Sequence, residues 1–140
     1  MSFVLDTNVI SELRRGVRGD RQVMAWRASY SPEDFFLSVI TTGEIRKGIE
    51  ASKRKDATKA LVYERWLHSL ELEFQDRILP VTIEIADLWG SLLARSNISP
   101  LDGLIAATAA HYGYTVATRN ERDFQRVGVD YVNPFRDWNH

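Results

Sequence analysis

The 140-residue chain has no cysteine and only three histidines. The first absence removes a disulfide framework, a thiolate metal site and a cysteine nucleophile, and it agrees with a reducing compartment. His68, His111 and His140 are not paired at zinc spacing. Long apolar runs are missing as well: Phe3 to Leu5 is the only uninterrupted one at the N-terminus, and no later stretch approaches the roughly 20 residues that span a bilayer. The expectation is a soluble, unsecreted, cytoplasmic protein with no membrane partner. Glycines are absent where phosphate loops need them, since Leu5 is followed by Asp6, Thr7, Asn8 and Val9, which fits neither a Rossmann nor a P-loop site. Asn8 also stands where an aspartyl-phosphate enzyme would need a second acid, and no nucleophile elbow marks a serine hydrolase. Finally, no charge of one sign dominates. Eighteen basic against nineteen acidic residues give a net charge of −1, so any nucleic-acid contact must be local rather than a global field. Arg14, Arg15, Arg18 and Arg21, and Lys53, Arg54, Lys55 and Lys59, form local basic groups that also read as solvated helix faces.

What is present is enough for one domain, residues 1–140, with a single core: 44% of the residues are hydrophobic. Short β-branched or aromatic runs alternate with helical patterns. Ser2 to Leu5 reads as a strand, then a helix capped by Asp6 to about Arg15, then a second from about Asp20 to Ser29. Phe35 to Ile40 is the next strand, and Thr41 with Glu44 has the capping-box spacing that opens a helix to about Ser52. Tyr63, Leu67, Leu70 and Phe74, widened by Val62 and Trp66, stripe a long helix from Asp56 to Gln75. Ile78 to Val81 is a weak strand because of Pro80, and Ile85, Trp89, Leu92 and Leu93 mark another helix. Ser99, Pro100 and Asp102 start the next one, with Leu101, Leu104, Ile105, Thr108, Ala109 and Tyr112 as its buried face and Gly113 as its stop. Tyr114 to Thr118 and Tyr131 to Asn133 are the last strands, flanking a short helix after Asn120, and an aromatic tail ends in Trp138, Asn139 and His140. The four tryptophans read as core. The fold class is α/β, a mostly parallel sheet of four or five short strands sandwiched between helices; strand order is not derivable.

Asp6, Glu44, Asp102 and Asp123 each open a helix in this reading. Capping alone explains each one, because Glu44, Asp102 and Asp123 lie three residues after Thr41, Ser99 and Asn120. Their joint placement adds a second meaning. Asp6, Glu44 and Asp123 follow strands, and residues beyond the carboxyl ends of parallel strands converge in one crevice. Converging carboxylates repel unless a cation joins them, and oxygen ligands suit Mg²⁺ or Mn²⁺. The two readings are compatible, since a helix N-terminus favours the ionised carboxylate. An acidic Mg²⁺ site is suited to phosphodiester hydrolysis.

The strings Val4-Leu5-Asp6-Thr7-Asn8-Val9-Ile10-Ser11-Glu12-Leu13, Leu101-Asp102-Gly103-Leu104-Ile105-Ala106-Ala107-Thr108-Ala109 and Thr118-Arg119-Asn120-Glu121-Arg122-Asp123-Phe124, with the Glu44 helix between them, resemble PIN-domain proteins. Within that family the chain is most similar to the VapC-type toxins of bacterial toxin–antitoxin pairs. The resemblance implies a PIN-like three-layer α/β/α sandwich and a Mg²⁺- or Mn²⁺-dependent endoribonuclease. It implies a catalytic set of Asp6, Glu44, Asp102 and Asp123, with Asp6, Asp102 and Asp123 on the metal, Glu44 at the attacking water, and Thr7, Asn8, Thr118 and Asn120 as polar supports. It also implies an RNA substrate, a homodimer, and a small VapB-type antitoxin covering the acidic groove. Gly103 departs from the alanine usual there. A metal-dependent DNA nuclease and an inactive PIN-like binding module are the alternatives.

Overall fold

The computed structural model describes residues 1–136; the Trp138 to His140 tail lies outside them. Five strands, β1 (Phe3–Leu5), β2 (Phe35–Ser38), β3 (Ile78–Leu79), β4 (Thr115–Ala117) and β5 (Tyr131–Val132), form one sheet in the order β3-β2-β1-β4-β5. Every neighbouring pair is parallel, with Phe3 opposite Phe35 and Thr115 across β1. The chain therefore builds outward from β1 in one direction, then returns to its other side. The crevice between the ends of β1 and β4 is the switch point where α/β sheets bind ligands.

Among the described residues seven α-helices cover the sheet: α1 (Thr7–Arg14), α2 (Arg21–Ala28), α3 (Val39–Ser52), α4 (Ala57–Glu73), α5 (Ile83–Arg95), α6 (Pro100–Tyr112) and α7 (Glu121–Arg126). Successive strand residues point to opposite faces, and this splits the core in two. Phe3 and Leu5 pack with Val9, Ile10, Trp26, Ile45, Ile49, Leu67 and Leu70 from α1 to α4. Val4 and Val116 pack on the other face with Ile85, Leu92, Leu104, Ile105 and Phe124 from α5 to α7. The result is the expected α/β/α sandwich. Fully burying each such side chain contributes about 1.5 to 3 kcal/mol, which is why strands this short hold together.

Several local expectations are corrected. The strand beginning at Phe35 ends at Ser38, not Ile40, because the Ser38 hydroxyl accepts the Ile40 backbone N–H at 3.1 Å and starts α3. Val39, Ile40, Thr41 and Thr42 have strand propensity, but the cap and tertiary packing override it. Thr41 is thus buried inside a helix, its hydroxyl without a partner among the described residues, and Glu44 falls in the second turn. On α4, Val62 is exposed although it was expected on the buried stripe. Residues Gly103 to Ala109 of α6 are buried on every side, whereas Leu101 and Tyr112, expected inward, are exposed. Small side chains let α6 touch the sheet and α5 at once. At Gly103 an added Cβ would lie 3.2 Å from Leu93 and 3.4 Å from both Ile98 and Trp89, so glycine admits the close approach of α5. Gly113, at φ +70°, closes α6 in the left-handed region that side chains rarely adopt.

The amino end of the sheet is aromatic. Phe3, Trp26, Tyr30 and Phe35 contact one another at centroid distances from 4.8 to 6.2 Å, mostly edge to face. Trp26 is fully buried there, and its indole N–H has no acceptor among the described residues, a cost of about 1 to 3 kcal/mol that the ring packing offsets. Trp66 and Trp89 are half-buried and pack against the two cores as expected; Trp89 also donates to the Pro100 carbonyl at 2.8 Å, and Trp66 also lines an open groove. No helix among the described residues is long and apolar enough to cross a membrane.

Candidate active site

Asp6 is the first residue beyond β1 and the cap of α1. Its backbone N–H continues the sheet by donating to Ala117 at 2.9 Å. Its carboxylate is 6% exposed; Oδ1 accepts the Thr7 backbone N–H at 2.8 Å, and Oδ2 accepts the Thr118 hydroxyl at 2.8 Å and the Asn8 amide at 3.3 Å. Thr118, the first residue beyond β4, is fully buried. Parallel pairing of β1 with β4 thus brings residues from opposite ends of the chain into hydrogen-bond contact.

The network extends both ways. The Thr118 hydroxyl accepts the Asn120 backbone N–H at 2.9 Å. The Asn120 side-chain amide then donates to Asp102 Oδ2 at 3.0 Å and to Asp123 Oδ2 at 2.8 Å. Asn120 makes no side-chain cap bond to α7; its amide joins two carboxylates instead. Asp102 is the third residue of α6, where its own N–H donates to the Ser99 hydroxyl at 3.3 Å. On the other side, Thr7 donates its hydroxyl to Glu44 Oε1 at 2.8 Å, so Glu44 joins the site from the second turn of α3. All four acids and all four polar supports expected from the sequence lie in one continuous set of contacts.

Electrostatics mark the site as under-compensated. Burial pushes the Asp6 carboxyl above its ordinary 3.8, and the Glu44 charge adds to this, while the bonds from Thr118, Thr7 and Asn8 oppose it. Burial likewise raises Asp102 above 3.8, reinforced by the charges of Asp6 and Asp123. At Asp6 and Asp102 desolvation and neighbouring carboxylates outweigh the hydrogen bonds these groups accept. Among the described residues, no lysine or arginine forms an ion pair with any of the four.

These residues fit a hard divalent ion. Every donor is oxygen, and the deficit is of positive charge. Among the described residues no group of three or more acidic or histidine side chains stands close enough together to hold a metal ion by itself. A Mg²⁺ ion needs only one or two protein carboxylates, with water or substrate completing its shell. Beside Glu44 and Thr7 runs a groove of about 270 Å³, lined also by Ser11, Ile49, Tyr63 and Trp66. Sequence reasoning passed over Ser38. Ser38 lay inside an apparent strand, although a serine before a helical run is a cap signal.

A three-layer parallel sandwich with acids gathered at its switch point defines the class, and the chain belongs to the PIN-domain family, whose model matches residues 3–130. The chain is 36% identical to VapC ribonuclease Y4jK of Sinorhizobium fredii over 139 residues, 95% of this chain and 97% of that protein. It is 37% identical to toxin FitB of Neisseria gonorrhoeae over 140 residues, 96% of this chain and 99% of that protein. It is also similar to a chain in the crystal structure of FitAcB from Neisseria gonorrhoeae, with a TM-score of 0.84, 36% identity, and coverage of 96% of this chain and 99% of that one.

Proposed function

We propose that this protein is a cytoplasmic endoribonuclease, dependent on Mg²⁺ or Mn²⁺, and the toxin of a toxin–antitoxin pair. The observation that carries the reading is the chain of contacts Asp6–Thr118–Asn120–Asp102/Asp123, with Glu44 joined through Thr7. The names of the full-length relatives, a ribonuclease and a toxin, support the substrate and the biological role.

Asp6 and Asp102 would hold the ion, with Asp123 as a further ligand. When bound, the ion would polarise the phosphoryl oxygen and lower the pKa of an attacking water. The protein's own contribution is positioning. Thr118 and Asn8 hold Asp6 in place, and Asn120 fixes Asp102 relative to Asp123; such outer partners typically matter 10- to 100-fold. Glu44 is half-buried and spends one oxygen on Thr7, which leaves the other to take a proton from water. The groove along Tyr63 and Trp66 would receive a small VapB-type antitoxin, and a homodimer would place two such grooves together.

The test is cleavage of a structured RNA, and of the matching deoxy strand, with Mg²⁺, with Mn²⁺ and with chelator. Wild type should cut RNA only with metal, and Asp6→Asn should not cut. Equal cleavage by Asp6→Asn overturns the site; preferential cleavage of the deoxy strand overturns the substrate. Calorimetry completes the test: Mn²⁺ should bind wild type and not Asp102→Ala.

A further inference from the structure

We propose that Arg119 grips a backbone phosphate of single-stranded RNA beside the scissile bond. The inference deepens the ribonuclease reading and rests on it.

Position comes first. Arg119 lies between Thr118, which holds Asp6, and Asn120, which holds Asp102 and Asp123. Its backbone N–H donates to Asn8 Oδ1 at 3.1 Å, and the amide nitrogen of the same Asn8 reaches Asp6. The arginine backbone is therefore tied to the acidic site on both sides, at the carboxyl end of the sheet.

Chemistry comes second. The Arg119 side chain is exposed, and its guanidinium carbon sits 4.4 Å from the centroid of the Phe135 ring. Stacking on a ring holds a guanidinium by its face and leaves its in-plane N–H donors free, in the fork geometry that matches a phosphate. Among the described residues no acceptor or acidic partner takes those donors. Of the other arginines stacked on rings among the described residues, two are already committed. Arg77, stacked on Phe74, donates to the carbonyls of Pro32, Phe35 and Glu73. Arg14, stacked on Tyr63, donates to its neighbour's hydroxyl, and Arg15, Arg46 and Arg136 pair with glutamates. Arg27 is stacked on Phe35 with no such bond, but at the amino end of the sheet.

Need comes third. A polyanion approaching four carboxylates that have no cationic partner is repelled, and a pre-positioned cation on the rim offsets this locally. A phosphate contact positions a strand without reading its bases, so Arg119 should govern affinity and leave sequence preference alone.

The test uses the purified chain with Mg²⁺ and a short single-stranded RNA, alongside the same RNA carrying a neutral methylphosphonate on a 2′-O-methyl nucleotide at one linkage at a time. The 2′-O-methyl nucleotide alone is the reference. Arg119→Ala should raise KM by roughly tenfold, the range of a hydrogen bond to a charged group, with kcat and cleavage positions unchanged. The slope of log kcat/KM against log salt should become shallower by about 0.7, the value for one single-strand phosphate contact. Neutralising one linkage next to the cut should impair wild type and add nothing in Arg119→Ala. Arg119→Gln keeps the stem that covers Phe135 and should behave as the alanine variant, Arg119→Lys should recover part of the loss, and Arg27→Ala should match wild type. If Arg119→Ala and Arg119→Gln keep wild-type KM and salt slope while Asp102→Asn is dead, the inference falls and the nuclease reading stands. If these variants cut normally but lose antitoxin affinity, Arg119 is a protein contact and the inference falls. If wild type cuts no RNA at all, both readings fall together.

Discussion

The two ends of the sheet are built on opposite principles. At the amino end, Phe3, Trp26, Tyr30 and Phe35 bury ring against ring, and Arg77 ties three carbonyls beside them. At the carboxyl end, burial pushes Asp6 and Asp102 toward their protonated forms, with Glu44 adding to the effect on Asp6 and Asp6 and Asp123 to that on Asp102, and none of them has a cationic partner among the described residues. One end supplies stability; the other stores repulsion that a divalent cation would relieve. Natural sites commonly sacrifice local stability in this way.

Breaking the amino end should give the largest effect on stability. Trp26→Ala removes a fully buried side chain and should cost about 3 to 5 kcal/mol in urea unfolding, with activity per folded molecule unchanged. An equal loss of specific activity would show that the two ends are not separable. Breaking the carboxyl end should do the reverse. Asp102→Asn should lower kcat by about a thousandfold, the equivalent of roughly 4 kcal/mol, while the metal-free variant melts at or above the wild-type temperature at neutral pH. A marked fall in melting temperature would mean that Asp102 is mainly a structural cap.

The pH dependence sharpens the contrast. Asp6 and Asp102 titrate above 3.8 in the folded chain. Their protonated forms therefore favour folding; the contribution is full below the unfolded value and is lost as pH rises through the folded ones. Metal-free wild type, measured against Asp102→Asn by chemical denaturation, should lose stability as pH rises from about 4 toward neutrality, and saturating Mg²⁺ should reverse the trend. A relative gain with rising pH and no metal would contradict the raised values. The smallest effect belongs to Gly103→Ala. Better helix propensity, worth about 1 kcal/mol, is opposed by crowding against Leu93, Ile98 and Trp89, so unfolding free energy should change by less than about 1 kcal/mol.

Alternating strands and helices were legible because each strand is short, apolar and followed by a cap or a proline. The acids were legible because three of them follow strands. Glu44 was placed by a false cap at Thr41, yet it still reached the site, since one helical turn moves a side chain along the same face rather than off it. Strand order was not legible: nothing local in Thr115–Ala117 states that it pairs with β1 rather than β2. The face of α6 misled because alanine and glycine carry little periodic signal, and a helix buried on all sides has no polar stripe. The upward shift of the carboxyls depends on distances between remote segments, which no local pattern contains.

The pairing of β1 with β4 has a consequence for folding. Asp6 and Thr118 are 112 positions apart, yet the Thr118 hydroxyl holds the Asp6 carboxylate. The acidic pocket therefore takes shape only after these two remote segments have met, so its geometry is a product of the finished sheet and not of any local stretch.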